Sequence, residues 1–348
     1  MAQVRTVTGP IDSASLGVTL FHEHLLLNGS GAWHPPRVDD AEGWEIARSP
    51  LRMEYLGRLR NDPYLSMDNT RLDSVDEAVE EAGRFATAGG ATIVEQTLEG
   101  NGRDPKGLKA IAERTGLNVI MGCGFYLERS HPPRVAAMTA DDIADDIERQ
   151  IAEGEDGIRA GVIGEIGISP DFTPAEVRVL RGAARAQQRC GVPLSVHLPG
   201  WLRYGGRVLD IVEEEGGNVR ATVLAHMNPS QDDGDYQRAL ADRGAWIEYD
   251  MLGMEFLYPG EGQSPSDDAN ARAIAGLMRD GYGGRLLLSG DIFVKTLLRR
   301  YGGFGYAHIP SAFLPRLCEL GVTRESAVDL LTSNPRAVFE SAAEGARS

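Results

Sequence analysis

The chain has 348 residues, with 35 Lys or Arg against 51 Asp or Glu and a formal net charge of −16. That excess repels nucleic-acid phosphates and anionic lipid surfaces, so neither is expected as a partner. A hydrophobic share of 42% and a charged share of 25% exclude a disordered chain, and three distant cysteines exclude a disulfide framework or a cysteine-based zinc site.

No apolar run approaches the ~18 residues of a membrane span, and the N-terminus MAQVRTVTGP lacks the apolar centre of a secretory signal. A cytoplasmic protein is the expectation. Residues 1–18 read as a small β-hairpin closing one end of the fold. Short apolar, β-rich runs then recur: TLFHEHL (19–25), ATIVEQT (91–97), NVIMGCGF (118–125), GVIGEIG (161–167), PLSVHLP (193–199), ATVLAHM (221–227), AWIEYD (245–250) and RLLLSGD (285–291). Amphipathic stretches separate most of them. Ile143, Ile147 and Ile151 recur every four residues on one helical face. In the next helix Thr173 reads as N-cap, Pro174 as N1, Glu176 as capping-box partner and Gly191 as stop. From the second run onward the starts lie 24 to 43 residues apart, the pitch of βα units. This predicts one α/β domain, a (β/α)₈ TIM barrel, with an open doubly wound sheet as the structural alternative. Residues 26–90 form a long insertion after the first strand, expected as a lid or pocket wall on the catalytic face.

Seven histidines occur in the chain. His22 and His24 stand two apart on a predicted strand, a spacing that turns both imidazoles to one side. His197, His226 and Asp291 end the fifth, sixth and eighth runs, and Glu165 sits near the end of the fourth among apolar neighbours, where a lone carboxylate is costly to bury. In a barrel these ends converge on one face. His34, His131 and His308 fall in loops and read as ordinary polar residues. Imidazole plus carboxylate suits Zn²⁺, and also Mn²⁺, Fe²⁺, Co²⁺ or Ni²⁺. Six donors exceed what one open tetrahedral site needs, whereas two ions sharing a bridging carboxylate account for the number. The bland alternative is a set of satisfied polar residues at strand ends.

FHEH, VIGEIG, SVH, LAH and LSGD, in that order, resemble the phosphotriesterase family of the amidohydrolase superfamily. GRD (102–104), GFY (124–126), EYD (248–250), YGGFGYAHI (301–309) and NPRAVF (334–339) extend the resemblance over nearly the whole chain. It is similar above all to the branch of phosphotriesterase-related and phosphotriesterase homology proteins, whose mammalian member is linked to N-acetyltaurine hydrolysis. The resemblance implies two divalent cations, His22, His24 and Asp291 binding the buried one and His197 and His226 the exposed one. Many relatives bridge the pair with a carboxylated lysine. VIGEIG has no lysine, so Glu165 is implied as the bridge, which disfavours phosphotriester hydrolysis as the main activity.

On this reading a bridging hydroxide attacks the carbonyl of an amide, lactone or carboxylic ester, and Asp291 handles its proton. A phosphotriesterase and a non-catalytic metal-binding barrel are the rivals. Tyr126 is either a hydrogen-bond donor into the pocket or a core-edge aromatic. Arg203 and Lys295 lie on catalytic-face loops and can recognise an anionic substrate, although loop cations are more often solvated. No G-x-S-x-G occurs, which weighs against a serine hydrolase, and YGGFGYAHI lacks the context of a phosphate loop. A homodimer is what the family suggests.

Overall fold

The computed structural model describes residues 2–345. Strands β1 (Gln3–Thr6) and β2 (Gly9–Asp12) pair as the expected antiparallel hairpin. Eight further strands follow: β3 (Val18–Glu23), β4 (Gly90–Glu95), β5 (Asn118–Cys123), β6 (Val162–Gly167), β7 (Leu194–His197), β8 (Thr222–Leu224), β9 (Trp246–Tyr249) and β10 (Leu286–Leu288). Each falls within, or one residue beyond, one of the eight apolar runs. Neighbours in the sheet are neighbours in sequence from β3 to β10, and every pairing is parallel. An open doubly wound sheet would switch direction in its strand order, and this one does not.

The seam between β10 and β3 closes the barrel with few bonds. The Asp291 amide donates to the His22 carbonyl at 3.1 Å, and the Ser289 hydroxyl lies 2.7 Å from that same oxygen. Helices between the strands bury their apolar faces against the outside of the sheet. Pro174–Cys190 begins with the capping box read from Thr173 and Glu176 and ends on Gly191 at φ +62°. Ile143, Ile147 and Ile151 of Ala140–Ala152 are all buried.

Inside the barrel, the lower half is apolar. Phe21, Val94, Ile120, Val162, Val223, Trp246 and Leu287 form one cluster, sealed by Val4 and Leu16 from the N-terminal segment and by Val338 and Phe339 from helix Ser333–Gly345. Two strands break register on the way up. β3 slips against β4 between Leu20 and Glu23, and β6 slips against β7 between Ile163 and Ile166. An irregularity of this kind re-aims side chains. It lets Phe21 serve the apolar floor while the next residue, His22, joins the polar layer above, and it brings Glu165 into that layer from the opposite wall.

Helix Val75–Thr87 buries Ala78, Ala82 and Phe85 in the main core and belongs to the barrel's outer ring. The segment before it carries helix Ala41–Arg48 and a small core of Ile46, Tyr55, Leu59 and Leu65. It is tied to the loop after β10, where the Lys295 and Thr296 amides donate to Asn69 and the Lys295 ammonium meets Asp68 at 2.6 Å.

Candidate metal centre

The six donors singled out in the sequence meet at the C-terminal mouth of the barrel. Glu165, at the end of β6, stands between two pairs of histidines. Its Oε1 lies 3.5 Å from Nε2 of both His22 and His24. Its Oε2 lies 2.9 Å from His197 Nδ1 and 3.4 Å from His226 Nε2. Asp291 completes the first group, with Oδ1 at 3.1 Å from His24 Nε2 and 3.7 Å from His22 Nε2. Among the described residues three groups of donors lie close enough for a cation: His22, His24 and Asp291; His22, Glu165 and His226; and His22, Glu248 and Asp250. His197 adds its nitrogen beside the second, 2.7 Å from His226 Nε2.

The backbone aims two of these groups. His226 has φ +58° and Asp291 φ +43°, left-handed conformations that cost energy for residues other than glycine and gather at functional sites. Asp250 holds His226 there by accepting from its backbone amide at 2.9 Å and from its ring Nδ1 at 3.1 Å. Glu23 does the same for Asp291's loop. It accepts from the amides of Gly290 and Ile292 at 2.7 and 3.0 Å and sits 2.8 Å from the Ser289 hydroxyl.

Other side chains hold the rings from behind. His24 Nδ1 is 2.8 Å from the Thr97 hydroxyl, which donates to Glu95 at 2.6 Å, leaving Nε2 turned toward Glu165 and Asp291. His226 places Nδ1 on Asp250 and Nε2 toward Glu165. His22 turns Nδ1 toward Glu248 and Asp250, at 3.5 and 3.4 Å. An acceptor behind one ring nitrogen fixes the tautomer whose other nitrogen can ligate. Neither nitrogen of His22, nor either oxygen of Glu248, has a hydrogen-bond partner, although both residues are fully buried. Orphaned donors of this type are what a cation would satisfy.

The electrostatics agree. Burial disfavours the charged ring of His22, yet Glu165, Glu248 and Asp250 hold its pKa well above the ordinary value. Burial likewise opposes ionisation of Glu165, and His22, His197 and His226 overcome it and hold the carboxyl well below its usual range. For Glu248 burial outweighs the opposing pull of His22 and His226, and with the charge of Asp250 beside it the carboxyl is pushed up to about 7. His197 is held low, by burial and then by His226. A cluster that needs mutual protonation to balance its charge is suited to replacing those protons with metal ions.

The substrate candidates divide. The Tyr126 hydroxyl lies 3.2 Å from His197 Nδ1, with the two rings edge-on at 4.8 Å, so it belongs to the site. Arg203 instead pairs with Asp232 and Asp233 and lies over Tyr236, and Lys295 pairs with Asp68. Both cations are held by carboxylates of neighbouring segments, Arg203 by the loop after β8 and Lys295 by the insertion. The loop histidines are ordinary: His34 meets Asp62, His131 meets the Tyr126 carbonyl and His308 meets Asp267. Sequence reasoning missed the supporting carboxylates Glu23, Glu95, Glu248 and Asp250. The available signal was acidic residues inside apolar strands, as in AWIEYD, the same cue that picked out Glu165.

Known proteins resemble this chain over nearly its whole length. N-acetyltaurine hydrolase of Salmo salar is 36% identical over 343 residues, covering 96% of this chain and 97% of that protein. The crystal structure of a resiniferatoxin-binding protein from Rhodobacter sphaeroides is 51% identical with a TM-score of 0.95, covering 97% of this chain and 95% of the other. Phosphotriesterase homology protein from Escherichia coli, solved with phosphate in its active site, is 26% identical with a TM-score of 0.77, covering 94% and 100%. The phosphotriesterase family model matches residues 2–339. The chain belongs to the phosphotriesterase family.

Proposed function

We propose that this protein is a binuclear metal-dependent hydrolase that cleaves a carboxylic ester, an amide or a lactone. The observation that carries the reading is Glu165, which offers one oxygen to the His22–His24 pair and the other to the His197–His226 pair. A carboxylate so placed can bridge two cations, with Asp291 completing the buried half. Zinc is the first choice for this donor set, with Mn²⁺, Co²⁺, Fe²⁺ or Ni²⁺ compatible. Two bound cations supply a water-derived nucleophile near neutral pH and polarise the oxygen under attack.

The chain's own residues do the rest. Asp291, held by its left-handed backbone and by Glu23, accepts the proton of the attacking water and returns it to the leaving oxygen or nitrogen as the carbonyl C–O or C–N bond breaks. Tyr126, against His197, is placed to donate to the substrate carbonyl. The insertion walls the site from one side. The N-acetyltaurine hydrolase relatives support amide cleavage, and the absence of a bridging lysine in VIGEIG weighs against phosphotriester hydrolysis.

A second reading, a barrel that binds without turnover, is favoured by the resiniferatoxin-binding neighbour. The complete donor set weighs against it. Chelator-treated protein is expected to regain hydrolysis of esters, lactones or N-acyl amino sulfonates as metal is added, with a break near two equivalents. Protein that takes up metal yet hydrolyses no carbonyl substrate would overturn the hydrolase in favour of the binding barrel.

A further inference from the structure

The rim of the site is aromatic, and its rings come from four segments on the mouth side. Trp201 follows β7, Phe293 stands two residues after Asp291, and Tyr64 belongs to the insertion. Tyr258 sits on a small hairpin, Leu257–Tyr258 with Gly262–Gln263, that leaves β9. The rings touch in series: Trp201 to Tyr258 at 5.5 Å, Tyr258 to Tyr64 at 6.0 Å and Tyr64 to Phe293 at 5.9 Å between centroids. Phe293 stands two residues after Asp291 and Trp201 four residues after His197, so both ends of the series start from the strand ends that carry the proposed ligands. Tyr258 is buried, while Tyr64, Trp201 and Phe293 are half-buried.

This wall is built firmly. A Cβ on Gly262 would lie 2.2 Å from the Trp201 indole nitrogen, so only glycine lets the hairpin backbone pack directly on that ring. The Leu257 amide donates to the Arg60 carbonyl at 2.8 Å, fastening the hairpin to the insertion. Cations, by contrast, are spent elsewhere: Arg203 on Asp232 and Asp233, Lys295 on Asp68. Arg129, three residues past Tyr126, has no ion-pair partner among the described residues. It is exposed, and a solvated arginine contributes less to recognition than fixed ring area.

We propose that Trp201, Tyr64, Tyr258 and Phe293 form the specificity-determining wall of this site, and that it selects a neutral ester, amide or lactone bearing an aromatic group. Stacked and edge-on ring contacts reward an aromatic ligand beyond the area it buries. The inference rests on the hydrolase reading for turnover and on the rings alone for binding, so the two are separable by experiment.

Hydrolysis of phenethyl acetate, cyclohexylethyl acetate and sulfoethyl acetate by the metal-loaded protein gives kcat/KM for an aromatic, an equally bulky saturated and an anionic ester. The expected order places phenethyl acetate about 10-fold above sulfoethyl acetate and several-fold above the cyclohexyl ester. Trp201→Leu is expected to reduce the phenethyl preference about 10-fold, chiefly through KM. Tyr64→Leu provides the same test if the indole proves necessary for folding. Binding of benzylacetone, a ketone that cannot be hydrolysed, reads the wall without turnover and should weaken in the same variants. No hydrolysis of any of these esters, or of the matching amides and a lactone, with benzylacetone binding that still depends on Trp201, would sink the hydrolase and uphold the wall. Turnover without aromatic preference, or a preference for sulfoethyl acetate that Arg129→Ala abolishes, would overturn the wall.

Discussion

The two ends of the barrel are made by the same eight strands and obey opposite rules. At the floor, Phe21, Val94, Ile120, Val162, Val223, Trp246 and Leu287 meet with no charge among them. At the mouth, a few residues further along those strands, Glu165, Glu248, Asp250 and Asp291 crowd four histidines, nearly all buried. The floor gains its free energy on folding by removing apolar surface from water. The mouth gives some of it back, because buried carboxylates with too few donors are destabilising until a cation arrives. Stability and function are thus separated along each strand, and changes at the two ends should be separable in the laboratory.

The largest effect is expected at the mouth. Asp291→Asn should lower turnover about 10²–10⁴-fold, the usual share of a positioned proton acceptor, while most of the bound metal remains. Steady-state rates with metal content measured on the same sample test this, and a near wild-type rate would remove Asp291 from proton transfer. At the floor, Trp246→Ala should cost ~3–5 kcal/mol of folding free energy and leave metal affinity of the folded protein unchanged. Denaturant unfolding and metal titration together would show whether the ends are independent.

The next prediction has opposite signs in two measurements. Glu248→Gln removes a buried charge that has no hydrogen bond and faces His22 at 3.5 Å. The metal-free protein should become more stable by ~1–3 kcal/mol, and metal affinity should fall ~10–100-fold. Loss of both quantities together would mark Glu248 as an ordinary core residue. Asp250 differs because it also holds the His226 backbone, so its replacement should weaken both.

The smallest effect is a pH dependence at the mouth of the metal-free protein. Burial, opposed by His24 and the Thr97 and Leu25 donors, pushes Glu95 up to about 7. A carboxyl raised on folding holds its proton in the native state while the unfolded chain has released it. Its contribution is complete below the unfolded value near 4.5 and is lost as pH rises through about 7. Stability should therefore fall across that window by ~1.4 kcal/mol per pH unit for this one group, and Glu95→Gln should flatten that part of the slope. An unchanged slope would show that Glu95 is ionised throughout.

The barrel and its donors were legible because both are written in local pattern. Apolar runs ending in His or an acid identify a strand and the face its end reaches, which is how Glu165, His197, His226 and Asp291 could be read together. What escaped depends on three-dimensional crowding. Glu248 and Asp250 share the pattern of Glu165, but nothing local says that β9 points them at His22 and His226. The left-handed turns at His226 and Asp291 have no glycine to advertise them. Arg203 and Lys295 do lie on mouth-side loops, as their positions indicate, yet each long side chain reaches a nearer carboxylate. Within residues 26–90, helix Val75–Thr87 packs on the main core, a contact set by the tertiary fold and not by local pattern.

Two cations at the mouth, bridged by Glu165, are what the proposed hydrolase requires. Anomalous diffraction at the zinc edge, from crystals grown with zinc, tests this directly. Two peaks are predicted, each within ligand distance of Glu165, one beside His22, His24 and Asp291 and the other beside His197 and His226. A single peak, or density beside His22, Glu248 and Asp250 instead, the third group whose donors lie close enough for an ion, would contradict it.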